Sequence, residues 1–237
     1  MAAARTAEGA GIAYVLATLT APIAFATRAR TARQLFAFAL AEHESMLELR
    51  AAAARSPSPE RCALYLRHAL DEERHATAFA RHSAEIRRAL GLPAYGQPRT
   101  ECESLYERLG ERSFLAFVHR GEHRGRAQFD AYVAFFARRG EAKLRALFTA
   151  LIEDERRHES YTRALLVEHA GGEREARRVL ATMALWEAFR RWRRVGSGLA
   201  RLVYGASMFV LYLALFPFAL ALRVLRPERS IRGGWES

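Results

Sequence analysis

The chain has 237 residues and a formal net charge of +11, carried almost entirely by arginine. That length suits one domain plus an appendage and argues against a second full domain. Ala, Leu, Arg and Glu dominate and no stretch alternates polar and apolar residues, so we expect an all-α fold. The densest basic run, residues 190–194, precedes a long uncharged stretch. This placement favours lipid headgroups over nucleic acid, which we do not expect as a partner.

Residues 1–28 are predicted to form an apolar lead-in helix. Arg5 is followed by an apolar run from Gly11 to Leu19, a pattern that a weak signal peptide would share. Glu8 and a poorly defined cleavage site favour an amphipathic or membrane-contacting helix instead.

Residues 29–171 are predicted to form a four-helix bundle. The first long helix covers about residues 31–55, and Ser58 and Pro59 have the residue types expected at the start of the second. After a loop and a short helix at about 100–109, the third and fourth helices run over about 111–139 and 141–169. Glycines end these helices, and long helices joined by short turns and one crossover are typical of a bundle.

The C-terminal part is predicted to be a basic amphipathic helix over residues 172–198 that continues into a membrane-associated or transmembrane helix over residues 199–225. A basic tail follows at 226–237. No charged residue occurs from Leu202 to Leu222, a length of helix that spans about 30 Å, the thickness of a hydrocarbon core. A buried core helix is the alternative, but arginines flank both ends. These flanks leave open whether the segment spans the bilayer or dips into it.

One motif occurs twice, as Asp-Glu-Glu-Arg-His at residues 71–75 and as Asp-Glu-Arg-Arg-His at residues 154–158. A Glu and a His three residues apart share a helical face, so that both can bind one metal ion. Chance alone gives about one such Glu-x-x-His pair in a chain of this composition. However, two of the three aspartates in the chain directly precede these pairs, which makes coincidence a poor explanation.

The two remaining long helices each supply a further candidate carboxylate, Glu42 and Glu122, at mid-helix. The spacing between the halves is nearly the same, which indicates a duplicated helical hairpin. Four carboxylates converging in a core repel one another unless cations neutralise them, and two divalent metals would do so. Arginine partners at the surface are the alternative, but they leave the repeated histidine unexplained.

Together these residues resemble the Glu, Glu-x-x-His, Glu, Glu-x-x-His pattern of the ferritin-like di-iron superfamily, over about residues 31–169. The resemblance implies two irons, or iron with manganese, and no catalytic residues beyond the ligands. It implies that Asp71 and Asp154 each orient the histidine of the opposite helix. The implied ligands are Glu42, Glu72, His75, Glu122, Glu155 and His158, with Glu72 and Glu155 bridging. The short chain, the lack of a CxxC pair and the hydrophobic tail match no single subfamily.

By this resemblance we expect an oxidoreductase that uses dioxygen to hydroxylate, desaturate or N-oxygenate an organic substrate, lipophilic in view of the tail. Expected partners are membrane lipid and an electron donor such as ferredoxin or another reductase, and a homodimer remains open. Because Cys62 and Cys102 form no framework, we expect a reducing setting, the cytoplasmic side of a bacterial inner membrane. The alternatives are a rubrerythrin-like ferroxidase or peroxidase, an iron-handling protein, and a membrane adaptor without chemistry.

Several further residues are secondary candidates. Glu44 is the rival of Glu42, and Gly121 and Gly125 predict a local π-bulge, a close substrate channel or close helix packing beside Glu122. The histidines at 68, 82 and 119 are predicted to be supporting or surface residues more often than ligands. Tyr161 is a candidate redox residue, although a packed helix face is its commoner role.

Overall fold

The computed structural model describes residues 11–96 and 102–225, and within these ranges it is all-helical. This confirms the predicted all-α class. In chain order the elements are α1 (Gly11–Ala24), α2 (Arg28–Arg55), α3 (Pro59–Ala89), α4 (Leu105–Leu109), α5 (Glu111–Arg138), α6 (Ala142–Ala170) and α7 (Glu173–Leu225).

Local sequence signals fix the ends of the long helices. The side chain of Ser58 accepts a hydrogen bond from the Arg61 backbone N–H at 3.3 Å, and Pro59 is the first residue of α3, as predicted. Thr27 caps α2 in the same way. Gly171, with φ 77°, ends α6 in the left-handed conformation that glycine adopts without strain.

The chain divides near residue 183 into two compact units. In the first unit, α2 packs against α3 and α5 packs against α6, forming two hairpins, and α3 also contacts α6. α1 lies on α5. This helical bundle brings the middles of the two repeated motifs towards each other.

An aromatic core fills the bundle beside those motifs. Phe79 lies one turn after His75 on α3, and Phe148 lies two turns before Glu155 on α6, and both are fully buried. Phe38, Phe129 and Tyr132 pack against this pair. Each such side chain contributes about 1.5–3 kcal/mol by leaving water, so this cluster stabilises the bundle around the motifs.

The crossover between the two hairpins is held by Glu48 of α2. Its buried carboxylate accepts hydrogen bonds from the backbone N–H groups of Glu103 and Leu105, the latter at 2.7 Å. Ser104 between them has φ 52°, an unusual value for a residue other than glycine. The short helix predicted over about 100–109 is reduced to α4, and residues 97–101 lie outside the described residues.

The predicted C-terminal helix is one continuous element, α7, which runs through Pro217. Its stretch Glu173–Leu222 is long and apolar enough to cross a membrane, the one such stretch in the described ranges. The side chains of its apolar window are exposed. The predicted basic tail at 226–237 lies outside the described residues.

The lead-in segment contains α1, and its first ten residues are outside the described ranges. Ala17 and Ala21 are buried on the side of α1 that meets the bundle, and Phe25 anchors the following turn between Tyr132 and Phe136. Another face of α1 exposes five large apolar side chains, each between 53% and 80% exposed. These residues, called the α1 apolar face below, are Ile12, Val15, Leu16, Leu19 and Ile23.

Candidate metal centre

Four helices contribute the six predicted ligands to one region of the bundle. Glu42 comes from α2, Glu122 from α5, and the two Glu-x-x-His pairs from α3 and α6. Glu42 is half-buried and the other five are buried, with Glu72 only 1% exposed. Two sets of potential ligand atoms each lie within 4.8 Å of one another: Glu42, Glu72 and His75 form one set, and His68, Glu72, Glu122 and His158 form the other. Glu155 joins them, since its Oε1 lies 3.6 Å from His75 Nδ1.

The aspartates of the repeated motif contact the histidine of the opposite helix. His75 Nε2 lies 3.0 Å from Asp154 Oδ2, and His158 Nε2 lies 3.0 Å from Asp71 Oδ2. A carboxylate can only accept here, so each Nε2 carries a hydrogen and donates a hydrogen bond to the aspartate. This crossed pairing leaves the two Nδ1 atoms as the ones that face the glutamates.

Both of these Nδ1 atoms are buried and have no hydrogen-bond partner. His158 Nδ1 lies 3.5 Å from both Glu72 Oε1 and Glu122 Oε2, and His75 Nδ1 faces Glu155. An imidazole lone pair pointing at carboxylate oxygens is unfavourable unless a cation or a proton lies between them. Buried, unpartnered imidazole nitrogens facing carboxylates therefore fit a site for divalent metal ions.

The carboxyl groups have strongly shifted pKa values. Burial raises the pKa of Glu72 well above its ordinary range, and the neighbouring carboxylate of Glu42 raises it further. Burial, and then Glu122, act in the same way on the pKa of Glu155. Burial also raises the pKa of Glu122, but His68 and His158 more than compensate and hold that pKa below its usual range. The cluster therefore contains more acid than its histidines neutralise, which is the imbalance that metal cations would remove.

The arginines of the repeated motif pair with acidic residues other than the predicted ligands. Arg74 pairs with Asp71, and Arg157 pairs with Asp154 and, at 3.3 Å, with Asp71. Arg156 pairs with Glu153, 70% exposed, at 2.6 Å. The surface salt-bridge alternative is thus wrong for Glu72 and Glu155, which are buried among histidines and other carboxylates.

Gly125 leaves room for one of the glutamates. A Cβ atom at this position would lie 3.1 Å from Glu155 Oε2, whereas one at Gly121 would meet nothing within 4 Å. α5 is α-helical through both glycines, so the predicted π-bulge is wrong. Because Gly125 has no side chain, it permits the close approach of Glu155 to the α5 backbone.

His68 lies inside the cluster, although the sequence placed it among secondary candidates. Its Nε2 is 3.0 Å from Glu72 Oε1 and 3.4 Å from Glu122 Oε1, and its ring stacks on that of His158 with centroids 3.6 Å apart. Its Nδ1 is 2.6 Å from the hydroxyl oxygen of Tyr161. The available signal was its position four residues before Glu72, on the same helical face.

The other secondary candidates lie elsewhere. His82 donates its Nδ1–H to the Ala78 carbonyl at 3.0 Å, and His119 donates to the Glu159 carbonyl at 3.1 Å. Glu44 is exposed, unlike its rival Glu42. Among these candidates, only His68, with its neighbour Tyr161, adds a side chain to the cluster.

No family model, curated protein or solved structure matches the chain. The residues themselves give a helical bundle whose buried glutamates and histidines could hold metal ions.

Proposed function

We propose that this chain is a membrane-attached, ferritin-like di-iron oxidoreductase that uses dioxygen to oxidise a lipophilic organic substrate. The observation that carries the proposal is the pair of buried, unpartnered Nδ1 atoms of His75 and His158, which face four glutamates from four helices. A carboxylate-rich set with few nitrogens favours iron or manganese over softer metals. Two bound ferrous ions would supply the electrons that reduce dioxygen, replenished by a donor such as ferredoxin or another reductase.

The protein residues would hold and orient the metals. Glu72 belongs to both sets of ligand atoms and would be shared, while Glu42 and His75 would bind one metal and Glu122 and His158 the other. Asp71 and Asp154 fix the histidine rings, so that each Nδ1 keeps its lone pair directed at the carboxylates. Burial first of all raises the pKa values of Glu72 and Glu155, so these two residues would release protons if metal bound.

The aromatic core limits water at the site. Phe79, Phe129 and Phe148 are at most 2% exposed and pack in contact with one another beside the ligand layer. Because these rings exclude water and lower the local dielectric constant, they would strengthen the interactions between the carboxylates and the metals. The rings of Phe38, Phe114 and Phe129 are engaged in core packing.

Two separate features support a membrane-borne substrate. α7 contains a stretch that is long and apolar enough to cross a bilayer. The bundle itself exposes the α1 apolar face, and Arg28, Arg30 and Arg33 follow it in sequence at positions suited to anionic headgroups. An acyl chain, a quinone or another lipid-borne metabolite fits this location, with the bundle on the cytoplasmic side of a bacterial inner membrane.

The proposal is tested by iron analysis and Mössbauer spectroscopy of the full chain purified in detergent. We expect about two irons per chain, antiferromagnetically coupled, in the native protein, and loss of this signal in a Glu72→Ala/Glu155→Ala variant. Glu44→Ala, which removes an exposed glutamate of α2, is the matched control and keeps the signal. A folded protein that stays metal-free after anaerobic iron loading would refute the proposed enzymatic function. The chain would then be a helical membrane protein without this metal site.

A second candidate is a ferroxidase or peroxidase without an organic substrate. The near-complete burial of Glu72, His75, Glu155 and His158 favours it, because such a site admits small oxidants more readily than a bulky substrate. Sustained consumption of peroxide by the iron-loaded protein, at a rate that membrane lipids and quinones do not change, would identify this activity.

A further inference from the structure

His68 combines the properties of a ligand histidine. It is 1% exposed, it lies among acids, and it belongs to a set of four side chains whose potential ligand atoms are mutually within 4.8 Å. The two histidines of the repeated motif share a pattern in which one ring nitrogen is held by an outer polar group and the other faces the glutamates. His68 follows the same pattern, with Tyr161 in the place of the aspartate.

The spacing of the donor atoms suits a single metal ion. His68 Nε2 lies 3.0 Å from Glu72 Oε1 and 3.4 Å from Glu122 Oε1. His158 Nδ1 lies 3.5 Å from an oxygen of each of the same two carboxylates. Two ligand atoms at about 2.1 Å from one metal are about 3.0–3.4 Å apart at the angles found between octahedral and tetrahedral positions. These four nitrogen–oxygen distances are therefore close to the edge lengths of one coordination polyhedron.

We infer that His68 is a seventh metal ligand, so that the two metal positions are chemically unequal. The nitrogen-rich position has His68 Nε2, His158 Nδ1, Glu122 and the shared Glu72, and the oxygen-rich position has His75 as its single imidazole, with Glu42 and Glu155. This inference rests on the proposed metal-binding function and adds to it the nitrogen count of each position. In the metal-bound protein the Nδ1–H of His68 donates to the Tyr161 oxygen, which leaves Nε2 free for the metal.

The unequal donor sets have a consequence for metal choice. Imidazole nitrogen favours later metals such as copper and cobalt, and carboxylate oxygen favours manganese and iron. A single equivalent of Cu²⁺ should therefore enter the nitrogen-rich position first. The same asymmetry would let the site hold two different metals in a defined order.

The test is electron paramagnetic resonance of the metal-free full chain loaded with one equivalent of Cu²⁺, in which coordinated nitrogens split the copper signal. We expect splitting from two nitrogens in the native protein and from one in His68→Gln, whose first-step copper affinity falls at least about tenfold. His82→Gln is the matched control, since His82 is on the same helix, donates to the Ala78 carbonyl and belongs to neither set of potential ligand atoms. It keeps two nitrogens and native affinity.

Three outcomes overturn the inference in distinguishable ways. A His68→Gln variant that keeps two nitrogens and the affinity of His82→Gln would make His68 a hydrogen-bond donor to Glu72. Tyr161→Phe covers the case in which His68→Gln does not fold. If His68 is a ligand, the copper signal of Tyr161→Phe still shows splitting from two nitrogens, with weakened copper affinity. Splitting from one nitrogen in both Tyr161→Phe and the native protein would reject His68 as a ligand. A native protein that binds neither copper nor iron would refute the proposed function itself.

Discussion

The crossed contacts between histidine and aspartate are the finest detail of the site that the sequence anticipated. Spacing of three residues places Glu72 with His75 and Glu155 with His158 on common faces. The contact of each preceding aspartate with the histidine of the opposite helix was implied by the family resemblance and not by the spacing. The inclusion of His68 was not predictable in the same way. Its role depends on the stacking of its ring on His158, which lies 90 residues further along the chain. Its position four residues before Glu72 made it a candidate, but this spacing does not show that its ring contacts His158.

Asp71→Asn should weaken metal binding without unfolding the bundle. The amide cannot supply the negative charge that holds the His158 Nε2–H, so ring orientation and ligand basicity both suffer. We expect metal affinity to fall about 10–100-fold in an anaerobic iron titration. Asp130→Asn is the control, because Asp130 pairs with Arg126 at 3.4 Å and belongs to neither set of potential ligand atoms. Equal affinities of the two variants would contradict a role for Asp71 in orienting the ring.

The two glycines of α5 offer a paired test. Alanine at either position favours the helix by about 0.5–1 kcal/mol, and at Gly121 nothing opposes that gain. At Gly125 the new methyl group lies 3.1 Å from Glu155 Oε2, so the carboxylate must move. We expect Gly121→Ala to raise the melting temperature and retain iron, and Gly125→Ala to lose iron affinity. The account of Gly125 fails if both variants bind iron like the native chain.

At the scale of the helices, local residue types predicted the ends of the long elements well, because Ser58, Pro59 and Gly171 act on their own backbone neighbours. The crossover was harder to predict. Its conformation depends on Glu48, a residue of α2 that reaches more than fifty positions along the chain to the N–H groups of Glu103 and Leu105. Replacement of Glu48 by alanine leaves the buried N–H of Leu105 unsatisfied and should cost about 1–3 kcal/mol of unfolding free energy, measured by denaturant unfolding.

Glu159 links α6 to α5 through charge. Burial raises the pKa of Glu159, but the hydrogen bonds of His123 Nδ1, at 2.8 Å, and Arg126 Nε, at 2.6 Å, lower it to about 2. A carboxyl group whose pKa is lower in the folded state stabilises the fold above its ordinary pKa of 4.5 and loses that effect as pH falls towards 2.

Glu159→Gln should therefore lower the unfolding free energy of the metal-free protein by about 2 kcal/mol at pH 7, after allowance for partial solvent screening. The difference from the native chain should shrink as the pH falls below 4.5. Denaturant unfolding followed by circular dichroism at several pH values measures it, with Glu153→Gln, at an exposed pair within α6, as the control. A difference that does not change with pH would exclude this charge linkage.

At the scale of the whole molecule, the two repeated hairpins could be predicted from the sequence because the same motif occurs twice with nearly the same spacing. The exposure of the α7 apolar window could not be read from composition alone, since a buried core helix has the same composition. The α1 apolar face could likewise not be predicted, because the segment is apolar on all sides and its sequence does not show which side is exposed. Only the packing of Ala17 and Ala21 against the bundle separates its two sides.

Membrane attachment through α7 can be tested by charge. Leu211→Arg/Leu215→Arg places two charges in the apolar window, each costing about 2.5–3.5 kcal/mol at a helix centre in a bilayer. We expect this variant to leave the carbonate-resistant membrane fraction while retaining its iron. Leu185→Arg, an exposed change in the basic part of the same helix, is the control and stays membrane-bound. Unchanged membrane retention of the double variant would remove α7 as the anchor.

The most direct test of the central claim is a crystal structure of the iron-loaded protein with anomalous scattering measured at the iron edge. The account predicts two iron peaks about 3.5–4 Å apart, both between the repeated motifs and sharing Glu72, with His68 and His158 at one of them. Peaks located elsewhere, or none at the buried glutamates despite full iron loading, would contradict it.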